Sequence, residues 1–96
     1  MRRVVITGMG IIAASGTGKE AFFEGMLSGE SFTNKINTFD PADFKSQIAA
    51  EIKDFDPTKY MDPKDARHHD RYTQLGVAAA KEAVEDANLS KEMLER

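Results

Sequence analysis

Gly8-Met9-Gly10-Ile11-Ile12-Ala13 has the GxGxxA spacing with which a glycine turn brings backbone N–H groups against a dinucleotide pyrophosphate. That chemistry needs a helix to begin promptly after the turn, because the helix N-terminus supplies anion-binding N–H groups. Here Ile11 to Gly18 intervenes and brings further glycines, Gly16 and Gly18. The acidic ribose ligand should end a second strand about 20 residues on. Glu30 is the nearest candidate, and it follows a predicted helix end instead. Gly16-Thr17-Gly18-Lys19 resembles the heart of a P-loop, GxxxxGK[ST]. In that register Ala13 replaces the first glycine and Glu20 the magnesium-binding hydroxyl, so no phosphate cradle results. A small nucleotide-binding module is therefore the least supported functional reading. The glycines read as positions where the backbone turns or packs tightly, and Lys19 as a solvated residue in the first turn of a helix.

His68-His69-Asp70 holds both histidines of the chain. Adjacent residues on a helix point about 100° apart, so the imidazoles cannot converge on one metal ion without a third element. No spaced histidine completes a set. Ser15, Ser28, Ser31, Ser46 and Ser90 lie in no GxSxG elbow. There is no cysteine, which removes disulfides, thiolate metal ligands and a cysteine nucleophile together. Lys64, Arg67, His68 and Arg71 stand at i, i+3, i+4 and i+7, one face of a helix. Such a face is either a solvated surface balanced by Asp62, Asp65 and Asp70, or a small basic docking patch for an acidic partner. Pattern alone favours the solvated surface.

The totals bound the classes. Ninety-six residues make at most one small domain, with little buried volume for its surface. Charged residues are 30% and apolar ones 41%, ordinary for a soluble chain. The formal charge of −3 gives no reason to expect nucleic acid or an anionic membrane as a partner. The apolar runs are too short to span a bilayer. Met1-Arg2-Arg3 before Val4-Val5-Ile6 falls short of a signal peptide, because Thr7, Gly8 and Gly10 break the run. A cytoplasmic location is expected.

The elements that must position these residues follow from the pattern. Val4-Val5-Ile6 is a continuous β-branched run and predicts a strand over Arg3 to Thr7, buried on both faces of a mainly parallel sheet. A helix is predicted from about Lys19 to Leu27, capped at Thr17 or Gly18 and closed by Ser28-Gly29. Its apolar face is expected to draw on Ala21, Phe22 or Phe23, Gly25 or Met26, and Leu27. Glu30 to Asp43 looks irregular, with Asp40 placed to cap a short helical turn through Phe44. Ile48, Ala50 and Ile52 alternate with Gln47, Ala49, Glu51 and Lys53, which predicts a strand with one buried face over Ser46 to Asp54, although Ala49 blurs the pattern. Asp56-Pro57 marks a turn, and Asp62-Pro63 a capped helix start. The strongest helix runs from Asp70 or Tyr72 to Asn88. It has Leu75, Gly76, Ala79, Ala80, Ala83, Val84 and Ala87 on one side, and Lys81, Glu82, Glu85 and Asp86 on the solvent side. So small an apolar face must pack close to something. Ser90 begins a last polar helical turn to Arg96. A doubly covered strand needs neighbours on both edges and helices on both faces. These elements supply too few, so the chain reads as a piece of a larger α/β domain or as one that completes its sheet with a partner.

Taken together, "RRVVITGMGIIAASGTGKEAFFEGMLSGES" and "KDFDPTKYMDPKDARHHDRYTQLGVAAAKEAVEDA" resemble the opening of the β-ketoacyl-acyl-carrier-protein synthases, in particular their elongating type II form. The resemblance runs from Arg2 to about Leu89. It implies an α/β, thiolase-like fold of two halves, of which residues 1–96 are the N-terminal segment, with an incomplete sheet and no complete domain boundary. It implies an acyltransferase that condenses an acyl thioester with malonyl-carrier protein, in fatty-acid or polyketide biosynthesis. The family's cysteine nucleophile and catalytic histidines lie downstream, so no catalytic residue is expected in this chain, which should be inactive alone. His68 and His69 do not match the catalytic histidines. The implied partners are acyl carrier protein and a second subunit, as a homodimer or a ketosynthase/chain-length-factor heterodimer. No metal or organic cofactor is implied beyond the carrier's phosphopantetheine arm. In the elongating synthases, basic residues at this helix start help dock the acidic carrier. The matching positions are Lys64, Arg67 and His68, the last contributing full charge only when protonated. The resemblance thus turns the balance towards a docking patch. The alternative it leaves is a non-catalytic, chain-length-factor-like subunit.

Overall fold

A computed structural model describes residues 2–95. The chain first forms a tight antiparallel hairpin of β1 (Ile12–Ala13) and β2 (Gly16–Thr17), with Ile12 opposite Thr17 and Ala13 opposite Gly16. Gly18 turns it into α1 (Lys19–Leu27) at φ 92°, and Gly29 ends the exit turn at φ 76°. Both angles lie in the left-handed region, where a Cβ is strained. The Gly18 and Ser28-Gly29 boundaries agree with the sequence reading. The expected apolar face is only partly used: Phe22 is half-buried, whereas Phe23, Met26 and Leu27 are exposed.

Two expected strands are corrected. Arg3 to Thr7 joins no ladder among the described residues, and Val4 and Ile6 are 93% and 87% exposed. Among the described residues the β-branched run has no neighbouring strand to satisfy its N–H and C=O groups. Ser46 to Asp54 shrinks to β4 (Ile48–Ala49), which pairs antiparallel with β3 (Asn34–Lys35) in the segment expected to be irregular. Of the face that the alternation prepared, Ile48 and Ala50 are exposed and Ile52 is half-buried. Asp40 caps a single turn as expected: its carboxylate accepts from the Ala42 N–H at 3.1 Å, and the Phe44 N–H closes the turn on the Pro41 carbonyl at 2.9 Å.

Beyond a one-turn 3-10 helix at Pro57–Lys59 come α2 (Pro63–His68), α3 (Arg71–Asp86) and α4 (Lys91–Leu94). The end of α3 has a specific cause. Asn88 adopts φ 56°, its N–H reaches the Glu85 carbonyl at 3.0 Å, and the Leu89 N–H reaches that of Val84 at 3.2 Å. These are the paired bonds of a Schellman stop, in which asparagine tolerates the left-handed position. Ser90 caps α4 by accepting from the Met93 N–H at 3.2 Å.

The packing centre is the approach of the Gly8–Ile11 segment to α3. A Cβ on Gly8 would stand 2.5 Å from the Ala83 carbonyl oxygen and 2.6 Å from the Ala87 nitrogen. One on Gly10 would collide with the Ala79 carbonyl and lie 2.7 Å from the Ala83 nitrogen. The small side chains of Ala79, Ala83 and Ala87 meet glycines, so backbone packs on backbone. Neither glycine has a positive φ; closeness alone demands them. Phe55, Ala66 and Ala78 are buried, as is Pro41 in the turn after Asp40.

Candidate functional site

The basic residues singled out in the sequence lie on and beside α2. Asp62 is extended at the helix start but, contrary to the expected cap, its side chain accepts no hydrogen bond there; Pro63 opens the helix, where its fixed φ suits the first turn and its missing N–H has no intrahelical role. The Ala66 N–H donates to the Asp62 carbonyl at 2.9 Å. Ala66 is the buried side chain of this helix, and Lys64, Arg67 and His68 project from its exposed remainder. Among the described residues no carboxylate lies within ion-pair distance of Lys64 or Arg67, so Asp62, Asp65 and Asp70 do not neutralise them by direct contact.

Arg71 does not extend this face. His69 leaves the helix at φ −118°, ψ 145°, and Asp70 stands extended at the start of α3. The helical register that would align Arg71 with Lys64 is interrupted there. The Arg71 guanidinium instead lies 4.9 Å from the centroid of the Phe55 ring, and its Nη2 donates to the Ile52 carbonyl at 3.4 Å. A cation over an aromatic face is attracted by the ring quadrupole. Phe55 in turn stacks on Tyr60, with centroids 5.8 Å apart and planes 16° from parallel.

Both ends of α2 are anchored to α3. Ahead of it, the Tyr60 hydroxyl donates to Glu82 Oε1 at 2.7 Å, and the Lys81 ammonium donates to the Tyr60 carbonyl. The hydrogen bond to Glu82 is the main reason the Tyr60 hydroxyl is pushed up to about 12, with burial and the Glu82 and Glu85 charges adding to it. Behind it, Gln74 Nε2 donates to the Ala66 carbonyl at 2.7 Å and to the His69 carbonyl at 3.3 Å. A helix as short as α2 is marginal in isolation; these contacts hold it in place.

Two acids expected on the solvent side of α3 act inward. Glu82 Oε2 accepts from the Ile11 N–H at 3.3 Å, and Asp86 Oδ2 from the Met9 N–H at 3.0 Å. Lys19, expected to be solvated, forms an ion pair with Asp86. That bond first, and then the Met9 N–H, holds the Asp86 carboxyl below its usual value; the same partner raises Lys19. The i, i+4 spacing of Glu82 and Asp86 beside the alanine stripe was the available sequence signal. Gln74 carried none.

This geometry bears on the glycine motif. A pyrophosphate over Gly8 and Gly10 would need space that the α3 backbone fills. No helix N-terminus stands at that turn, since α1 begins only at Lys19. Among the described residues no cluster of His, Asp and Glu is arranged to hold a metal ion, and no helix is long and apolar enough to cross a membrane. Two open grooves, one of about 410 Å³ beside Met9, Ile11, Phe22 and Phe23, the other of about 400 Å³ beside Val77, Ala80, Val84 and Leu94, are almost wholly apolar. Neither converges polar groups on a point where a reaction could occur.

Comparison with known proteins gives a consistent match. Residues 1–96 match the beta-ketoacyl synthase, N-terminal domain family. The chain is 45% identical over 89 residues to the tetracenomycin polyketide synthase ketoacyl synthase alpha subunit of Streptomyces glaucescens, covering 92% of this chain and 21% of that protein. It is 42% identical over 88 residues to 3-oxoacyl-[acyl-carrier-protein] synthase 2 of Vibrio harveyi, again covering 92% and 21%. Among solved structures, the ishigamide ketosynthase/chain length factor superposes with a TM-score of 0.81 at 38% identity, over 96% of this chain and 23% of that one. The chain thus spans about a fifth of the length of the curated relatives it matches.

Proposed function

The chain belongs to the beta-ketoacyl synthase N-terminal-domain family, and on that premise we propose that it is the N-terminal part of a cytoplasmic, thiolase-like 3-oxoacyl-[acyl-carrier-protein] synthase. The observation that carries this reading is the family match over residues 1–96, accompanied by identities above 40% to both a fatty-acid-type and a polyketide-type synthase. The parent enzyme transfers an acyl group from its thioester to a cysteine, releasing the carrier thiol. Malonyl-carrier protein then loses carbon dioxide. The carbanion so formed attacks the acyl carbon, a carbon–carbon bond forms, and the cysteine thiolate leaves. Covalent catalysis splits one difficult step into two easier ones. The cysteine belongs to a part of the enzyme beyond this chain, which contains none.

Within the chain, the role is to receive the acidic carrier protein at Lys64, Arg67 and His68 on α2. What supports this is their exposure together on a short anchored helix, with Lys64 and Arg67 free of ion pairs among the described residues. The intact protein, given acyl- and malonyl-carrier protein, is expected to release carbon dioxide and form a 3-oxoacyl-carrier product. Absence of product with every primer would overturn the catalytic reading. Lys64→Glu together with Arg67→Glu should weaken carrier binding about tenfold at low salt and flatten its salt dependence, as expected when exposed attraction becomes repulsion. Unchanged affinity in a binding titration would remove the docking role.

The second and less favoured reading is a non-catalytic, chain-length-factor-like subunit that pairs with a synthase; the solved relative is a ketosynthase/chain length factor, and its name covers both. The residue at the nucleophile position of the longer protein decides between the two.

A further inference from the structure

From the geometry at the end of α2 we infer that Gln74 is the positioning residue of the docking patch. This rests on the docking role proposed above and adds a residue to it that bears no charge. The Gln74 amide spans the elbow between α2 and α3. Its Nε2 holds the carbonyl of Ala66, within α2, at 2.7 Å and that of His69, just past its end, at 3.3 Å. Arg67 and His68 are the residues between those carbonyls.

The last carbonyls of a helix have no intrahelical partner. Among the described residues the backbone donor to the Ala66 carbonyl is the His69 N–H, at a long 3.4 Å. Gln74 supplies the short bond. Half-buried on the first turns of α3, it ties the backbone that carries two of the three patch residues to a helix of 16 residues. Without it, Arg67 and His68 sit on a frayed turn, and ordering that turn must accompany carrier binding. Affinity falls by that ordering free energy although no charge has been lost.

The test uses the intact protein and a purified acyl carrier protein, with binding measured over a range of salt concentrations. Gln74→Met keeps the length and apolar stem but cannot donate; Gln74→Ala is read beside it, so that a misfit of one side chain does not decide the outcome. Loss of one such bond should weaken carrier binding about three- to tenfold. Because the charges remain, the dependence of the logarithm of affinity on the logarithm of salt should keep its slope, whereas Arg67→Ala reduces it. In a double-mutant cycle the Gln74→Met effect should shrink when Arg67 is already alanine. A merely structural role predicts equal, additive losses in both backgrounds. If Arg67→Ala weakens binding while neither Gln74 variant does, or if the losses simply add, the inference is overturned and the docking role stands. If Arg67→Ala leaves affinity unchanged, both fall.

Discussion

At Gly8 and Gly10 the requirement for glycine is spatial. The atoms a Cβ would meet there are backbone atoms of α3 and of Ala87 just past it, and the Ala87 Cβ, none of which can rotate away as the end of a flexible side chain can. Gly10→Ala should destabilise the intact protein by about 1–3 kcal/mol, as overpacking of a close contact does; a chemical denaturation midpoint equal to that of the parent would contradict the packing. Tyr60 offers a different handle. Its ionisation is raised from 10.0 in the open chain to about 12 here, chiefly by the hydrogen bond to Glu82. A raised value means that the neutral, folded form is favoured. The contribution is whole below pH 10 and fades as the pH climbs to about 12. Tyr60→Phe should therefore be less stable at neutral pH and lose less stability over that alkaline window. Parallel alkaline limbs for parent and variant would show that the bond does not couple to folding.

Between elements, Glu82 and Asp86 act as a pair of clasps. One turn apart on α3, they take the N–H groups of Ile11 and Met9, which the Gly8–Ile11 segment offers to no strand. Glu82 also accepts from Tyr60, so one carboxylate joins the N-terminal segment, the approach to α2 and α3. Asp86 is held below its open-chain value of 3.8 by Lys19 and the Met9 N–H. A lowered value gives stability that is whole above 3.8 and is lost as the pH falls through the depressed one. Asp86→Asn should accordingly be less stable than the parent at pH 7 and converge with it in strong acid. Melting curves recorded from pH 7 downward check this, and a constant gap at every pH would refute it. The same scale governs α2: its six residues present a basic face because contacts from α3 hold both ends.

For the whole molecule the measure is what remains uncovered. The Cα radius of gyration is 16.5 Å, against about 12.5 Å for a compact domain of this length. Val4, Val5 and Ile6 are exposed, as are Phe23, Met26, Leu27, Met93 and Leu94. Burial of apolar surface is the main term that offsets chain entropy, and here it is small. The 96-residue chain expressed alone should self-associate or melt without cooperativity. A monomer with a sharp thermal transition, read by sedimentation and calorimetry, would contradict this.

What was legible in the sequence was local. Gly18, Gly29, Asp62-Pro63, Asn88 and Ser90 marked helix boundaries because caps and stops depend on a few neighbouring residues. The alanine stripe announced a close approach, and Gly8 and Gly10 announced tight backbone, each from side-chain size alone. The family was legible too, in the order of these features. Tertiary structure alone decided which surfaces meet. Val4-Val5-Ile6 has the makings of a strand, but a ladder needs a second strand, and none among the described residues reaches it. Arg71 left the basic face because the chain breaks helical register at His69 and Asp70, and its guanidinium then lies over Phe55. Glu82, Asp86 and Gln74 turned inward because unpaired N–H and C=O groups from other elements stood beside them. Caps, turns and side-chain size act over a few residues and are written in order along the chain; a hydrogen bond between residues 77 apart, such as Met9 to Asp86, exists only once folding has brought the two together.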